Sequence, residues 1–181
     1  MLQRAMAQTR GLARGLSPVG LEGLGLAEAL RDLASSTSRL YRCQCRFRAR
    51  APALAPSHAT AIHLYRIAQE AVNNAHKHGR AKRIEIRLTA NGRVVVLRVA
   101  DNGIGLSSKL PPGTGMGLRI MRYRAEVIGG VLEVKPRRHG GTQVSCTVTE
   151  EPFTARITGG HHEEIAPLTA NPVQETHSDS R

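Results

Sequence analysis

The dipeptide Asn91-Gly92 constrains the fold of this chain more than any other pair of residues. It joins "RIEIRLTA" (83–90) to "RVVVLRVAD" (93–101). In the first run Ile84, Ile86 and Leu88 alternate with polar residues, the period of a half-buried strand. Asn-Gly between two such runs is the turn sequence of a tight hairpin, whose central residues need positive φ. A hairpin pairs its strands antiparallel, which excludes an all-parallel sheet. "VLEVKP" (131–136) and "GTQVSCTV" (141–148), separated by "RRHGG", predict a second hairpin. In "YRCQCRFRAR" (41–50), Tyr41, Cys43, Cys45 and Phe47 alternate with Arg42, Gln44, Arg46 and Arg48, predicting a strand with a cationic outer face.

Helical spacing fills the gaps. "GLAEALRDLASSTSRL" sets Leu26, Leu30, Leu33 and Ala34 on one face, and a longer helix is expected over about 59–78. "LRIMRYRAEV" follows a glycine-rich loop and is stopped by Gly129-Gly130. The opening "MLQRAMAQTRGLARGLSPVG" reads as the end of a helix over 1–16, broken at Gly15 and Ser17-Pro18. From about Glu150 the sequence is polar and aperiodic, so 150–181 is expected to be a disordered tail. The order helix, helix, strand, helix, hairpin, loop, helix, hairpin predicts an α+β domain over 17–149. Its sheet is mixed but mostly antiparallel, with helices on one face.

Charge narrows the partners. The 181 residues carry 26 Lys and Arg against 14 Asp and Glu, a formal net charge of +12, which favours anionic ligands. The arginines are scattered and lack interleaved aromatics, which argues against direct nucleic-acid binding. Three cysteines without a CxxC pair predict buried reduced thiols. His161-His162-Glu163-Glu164 has no further ligands at metal spacing. No apolar run nears the ~18 residues that cross a membrane, and no signal peptide opens the chain, so a cytoplasmic location is expected.

Four stretches carry chemistry. On a wheel of the 59–78 helix, Leu64, Ile67, Ala68, Ala71 and Ala75 form an apolar stripe. Glu70, Asn73, Asn74 and Lys77 gather on the other side, with His78 at its edge. Glu70 and Asn74 lie one turn apart and offer oxygens suited to Mg²⁺, and Lys77 suits phosphates. "ADNGIGL" puts Asp101 at a strand end, where a carboxylate can accept from an exocyclic amine. Gly103 and Gly105 let a flat ring approach the backbone. "GTGMGL" (113–118) feeds glycines into a helix N-terminus, which favours a phosphate chain. The spacing fits neither a dinucleotide-binding fold nor a Walker loop. "GGTQV" places the hydroxyl of Thr142 at the start of the last strand.

In this order and spacing, Glu-x-x-x-Asn, Asp-x-Gly-x-Gly, Gly-x-Gly-x-Gly-Leu and Gly-Gly-Thr resemble the Bergerat-fold ATPases. "LYRIAQEAVNNAHKHGRAKRIEI" and "GMGLRIMRYRAEVIGG" resemble more closely the ATP-binding catalytic domain of bacterial sensor histidine kinases of the nitrate/nitrite-sensor and desaturase-thermosensor class. The resemblance implies ATP and Mg²⁺ as cofactors and a catalytic pairing of Glu70 and Asn74. Asn74 would hold the metal, and Glu70 would reach it through water or polarise the nucleophile. It assigns Lys77 and His78 to the phosphates, and Asp101, Gly103, Gly105 and Thr142 to adenine. Gly113, Gly115, Met116, Gly117 and Leu118 line the triphosphate. The implied partners are a dimerisation domain bearing the phosphoacceptor histidine and a response regulator with a helix-turn-helix output, in a membrane-linked homodimeric parent.

In that class the acceptor histidine precedes the nucleotide domain, and no histidine stands before His58 here. Residues 1–16 resemble only the end of the second dimerisation helix. The expectation is therefore a piece of a longer kinase, or a catalytic domain acting on a histidine held elsewhere. The competing function is an ATP-dependent binding regulator of the anti-sigma-factor serine-kinase type. A basic nucleic-acid-binding module would leave Asp101 and the glycine series unexplained.

Overall fold

A computed structural model describes residues 25–50, 56–105 and 115–150. The helix expected over 1–16, Gly113 with its loop, and the tail beyond Glu150 lie outside the described residues. Helix α1 (Gly25–Tyr41) leads to strand β1 (Gln44–Arg50), helix α2 (His58–Lys77), and the hairpin β2 (Arg83–Asn91) and β3 (Val94–Asp101). Helix α3 (Met116–Val127) and the hairpin β4 (Val131–Pro136) and β5 (Thr142–Thr149) complete it.

The five strands form one sheet in the order β1-β2-β3-β5-β4. β1 runs parallel to β2, as a strand–helix–strand crossover through α2 allows, and every other pair is antiparallel. The hairpin forms where Asn-Gly predicts it, but one residue later. Asn91 ends β2 opposite Val94, the two-residue turn is Gly92-Arg93, and of Asn91 and Gly92 only Gly92, at φ 55°, has positive φ. The helices cover one face. Leu30 of α1, Leu64 and Ile67 of α2, and Met121 of α3 pack with Ile86, Leu97 and Val148 in a fully enclosed core.

Element starts follow local chemistry. Ser57 caps α2: its hydroxyl oxygen accepts the Thr60 N–H at 3.3 Å. The far end closes when the Asn74 carbonyl accepts from both His78 and Gly79. The alternating run begins later than its pattern predicts. Tyr41 belongs to α1, not β1, because Arg42, at φ 49°, turns the chain only after it. The Tyr41 ring stacks on His76, with centroids 3.9 Å apart. Glu150 is buried, and its N–H donates to the Arg93 carbonyl at 2.8 Å.

All three thiols are free and buried. Burial pushes Cys45 up to about 12 and Cys146 up to about 11, and it also raises Cys43. A thiol whose pKa is raised by folding stabilises the native state fully below the unfolded value. That stability is lost as pH rises from the ordinary thiol value of 9.0 towards the folded one. At pH 8 the native chain is therefore expected to leave all three thiols unreacted with a thiol-specific reagent. In denaturant all three should react. Rapid labelling of Cys45 or Cys146 in the native chain would contradict their burial.

Candidate functional site

β3 ends on a carboxylate that faces inward. Asp101 is only 6% exposed. Its Oδ1 accepts the Gly103 N–H at 2.7 Å and its Oδ2 the Thr142 N–H at 3.2 Å. These bonds offset part of the desolvation cost of a buried carboxylate and fix its orientation. Each oxygen keeps lone-pair capacity for one more donor. From behind, Arg137 Nη1 donates to the Asp101 carbonyl at 2.5 Å. The next side chain anchors the turn: Asn102 Oδ1 accepts from the N–H groups of Lys82 and Arg83 at 3.0 and 2.7 Å.

Around Asp101 the backbone packs too closely for side chains. A Cβ on Gly103 would fall 2.2 Å from the Gly79 carbonyl oxygen, which the Ile104 N–H already engages at 2.8 Å. A Cβ on Gly141, at φ +86°, would fall 2.1 Å from the Asp101 carbonyl oxygen. Gly105 lies against Gly141 across the same gap. The end of β3 and the start of β5 thus form a bare backbone floor beside the Asp101 carboxylate.

The second part of the site joins α2 to α3. Glu70 and Asn74 stand one turn apart on α2, both half-buried. A Cβ on Gly117 would lie 2.2 Å from Glu70 Oε1 and 3.1 Å from Asn74 Nδ2. The first turn of α3 therefore rests on the two side chains, and a larger residue at 117 would push the Glu70 carboxylate aside. Gly115 is the N-cap and supplies no side-chain bond. Among the described residues the N–H groups of Met116, Gly117 and Leu118 have no capping side chain at the positive end of the helix dipole.

The structure brings most of the expected residues together, in two groups. Asp101, Gly103, Gly105 and Thr142 form the first, and Glu70, Asn74 and the Gly115–Leu118 turn the second. The Leu118 side chain packs against the core, so only its backbone is available to a ligand. The Met116 side chain is 79% exposed. Lys77 and His78 are exposed at the end of α2, and neither side chain is hydrogen-bonded among the described residues. Sequence reasoning misses Gly79, Gly141 and Arg137. Gly141 stands within the Gly-Gly-Thr run and Gly79 ends the long helix, so both are visible as punctuation. Nothing in the sequence marks Arg137, whose partner is a backbone carbonyl 36 residues away.

Comparison with known proteins identifies the relatives of this fold. The profile of the family described as "Histidine kinase-, DNA gyrase B-, and HSP90-like ATPase" matches residues 59–152. The nitrate/nitrite sensor protein NarX of Escherichia coli is 39% identical over 112 residues, 62% of this chain and 19% of NarX. The sensor histidine kinase LiaS of Bacillus subtilis is 33% identical over 148 residues, 82% of this chain and 41% of LiaS. The chain thus spans less than half the length of these relatives. Among solved structures, the histidine kinase domain of a blue-light activated kinase from Erythrobacter litoralis superposes with a TM-score of 0.56 at 22% identity. That match covers 70% of this chain and 61% of the other. The ATP-binding domain of PrrB from Mycobacterium tuberculosis gives 0.54 at 20% identity, over 71% and 96%. At such identities the likeness is one of fold. The mixed five-stranded sheet and the match over most of α2 to β5 lead to one conclusion: the chain belongs to the histidine kinase-, DNA gyrase B- and HSP90-like ATPase family.

Proposed function

We propose that this domain binds ATP between the Asp101 floor and the α2–α3 junction. It then donates the γ-phosphate to a histidine on a helical dimerisation domain, as the catalytic module of a sensor histidine kinase. The observation that carries the reading is the Asp101 carboxylate. It is buried, held by two N–H groups, and bordered by the glycine backbone of Gly103, Gly105 and Gly141.

Asp101 accepts the exocyclic amine of adenine with its remaining lone pairs, and Gly103, Gly105 and Gly141 leave room for the ring. Thr142 adds a hydroxyl at the same edge. The uncapped N–H groups of Gly117 and its neighbours face the phosphates, and Lys77 contributes positive charge from the end of α2. Glu70 and Asn74 fit a divalent cation chemically. A carboxylate and an amide, which a 180° rotation turns to present Oδ1, are hard oxygen donors beside an anion-binding helix terminus. Among the described residues no three His, Cys, Asp or Glu side chains cluster together, so a cation here draws on few protein ligands. Mg²⁺ held by Asn74, with Glu70 directly or through water, would neutralise charge on the triphosphate. The protein's part is positioning and electrostatics, with Glu70 placed to polarise the incoming nucleophile.

A surface for the partner adjoins this junction. Met116, Ile120, Tyr123 and Val127 are all exposed and spaced four, three and four residues apart along α3. That spacing makes a seam suited to another helix, opposite the core-facing Met121 and Ala125. The phosphoacceptor helix would seat there, and a response regulator would take the phosphoryl group from it. Among the described residues no helix is long and apolar enough to cross a membrane.

The test supplies a dimerisation hairpin in trans with labelled ATP. The expected product is an acid-labile, base-stable phosphohistidine on the hairpin. Asn74→Ala should slow its formation by about a hundredfold or more and remove its dependence on Mg²⁺. An acid-stable phosphoserine or phosphothreonine would overturn the histidine kinase reading in favour of the serine-kinase type of regulator.

A further inference from the structure

Among the described residues no helix covers the other face of the sheet, and its charge is one-sided. Strand register sets Arg48, Arg87 and Arg98 side by side on β1, β2 and β3. Like charges directly opposed across strands destabilise a sheet, so this row needs a compensating anion. Among the described residues little of it is supplied, since Glu133, farther along the same row on β4, is paired with Lys135. Glu85 lies 3.1 Å from Arg87 and 3.4 Å from Arg48, so a single carboxylate serves two arginines. Arg98 is exposed and has neither an ion pair nor a side-chain hydrogen bond among the described residues.

The neighbouring row is hollow. Ala100 sits between Glu85 on β2 and Gln143 on β5. The short side chain leaves a cavity of about 150 Å³ lined by Glu85, Arg87, Arg98, Ala100, Arg137 and Gln143. A water needs only ~10–15 Å³ of such space, so this half-open hollow has room for several waters or one phosphate-sized anion. Arg137 is already anchored, because one N–H is committed to the Asp101 carbonyl. Guanidinium has five donors, so the rest of the group remains free for a second acceptor.

We propose that Arg87, Arg98 and Arg137 form a binding site for a phosphate-type anion on the open face of the sheet. Arg98 supplies an uncompensated charge, Arg137 a preset donor, and Gln143 an amide N–H at the rim. Guanidinium groups match the paired oxygens of phosphate, and Glu85 is neutralised by its own two arginines. The compact floor favours a single phosphate group over a polymer. This site lies on the opposite side of the sheet from the inward-facing Val99, Asp101 and Val144, and it stands whether or not the domain binds ATP.

Titration of the full chain with inorganic phosphate, against chloride at equal ionic strength, tests the proposal. The expected result is a saturable change in the backbone amide resonances of Ala100 and Gln143 and a rise in Tm. Arg98→Gln should weaken the binding by about tenfold or more, as loss of a charge-assisted bond implies. Lys77→Gln, which alters the α2 end, should leave it unchanged. Vesicles of phosphatidylglycerol in phosphatidylcholine form a second arm. Capture that Arg98→Gln abolishes, without a response to free phosphate, assigns the phosphate group to lipid. A phosphate response alone assigns it to a soluble anion. Because Arg98 is exposed, its replacement should not lower Tm, so loss of binding cannot be ascribed to unfolding. The proposal is overturned by a non-saturating response together with no vesicle capture, or by binding that Lys77→Gln removes and Arg98→Gln does not.

Discussion

Asp101→Asn is expected to weaken ATP binding by roughly thirty- to a hundredfold, about 2–3 kcal/mol. The carboxylate serves two backbone donors, Gly103 and Thr142, and has capacity for the adenine amine. An amide replaces one acceptor oxygen with an NH₂ group, which must face one of these three donors. If it faces the ligand, the base loses its acceptor and meets a second donor. If it faces the backbone, a buried N–H is left unpaired and the turn loosens. Calorimetric titration of ATP into the variant separates the two costs when the folded fraction is checked by circular dichroism. Unchanged affinity in a folded Asp101→Asn chain would remove Asp101 from the site.

Gly141→Ala should have the largest effect on the fold of any single methyl addition near the site. Two costs coincide there. An L-residue at φ +86° is strained, and the added methyl would fall on the Asp101 carbonyl oxygen, a backbone atom that cannot swing aside. Together they are expected to cost about 3 kcal/mol, lowering Tm by roughly 10 °C. Because the atom displaced belongs to Asp101, ATP affinity should fall with it, by about tenfold or more in the fraction that stays folded. Gly92→Ala is the control: it also has positive φ, at +55°, but nothing lies within 4 Å of its Cβ. Thermal unfolding should show a smaller loss, of about 1 kcal/mol, with ATP affinity unchanged. Equal losses in the two variants would mean that backbone strain alone sets the cost at Gly141.

Both residues show where the sequence is legible and where it is not. The hairpins are readable because alternation and Asn-Gly are local signals, and of the expected set Ile84 and Ile86 are buried while Leu88 is partly buried against the core. The apolar stripe of α2 was readable for the same reason, at helical period. Start points were less so. Tyr41 fits the strand alternation, yet helix α1 carries on to it, and only the positive φ of Arg42 marks the change. Among the expected site residues, those whose side chains stand on regular elements lie where their pattern puts them: Glu70, Asn74 and Asp101. The contacts that lock the site are backbone approaches between distant segments, such as Gly103 on Gly79 and Gly117 on Glu70. A glycine announces that some close approach exists, but its partner is set by tertiary packing. Arg137 shows the limit, since its acceptor is a carbonyl, a group every residue has.

The central claim is that this chain holds ATP with its own residues. Calorimetric titration of ATP into the folded chain, with Mg²⁺ and again with the metal chelated, tests it most directly. The account predicts one saturable site whose affinity falls when the metal is removed. A folded chain that takes up no ATP in either condition would contradict it.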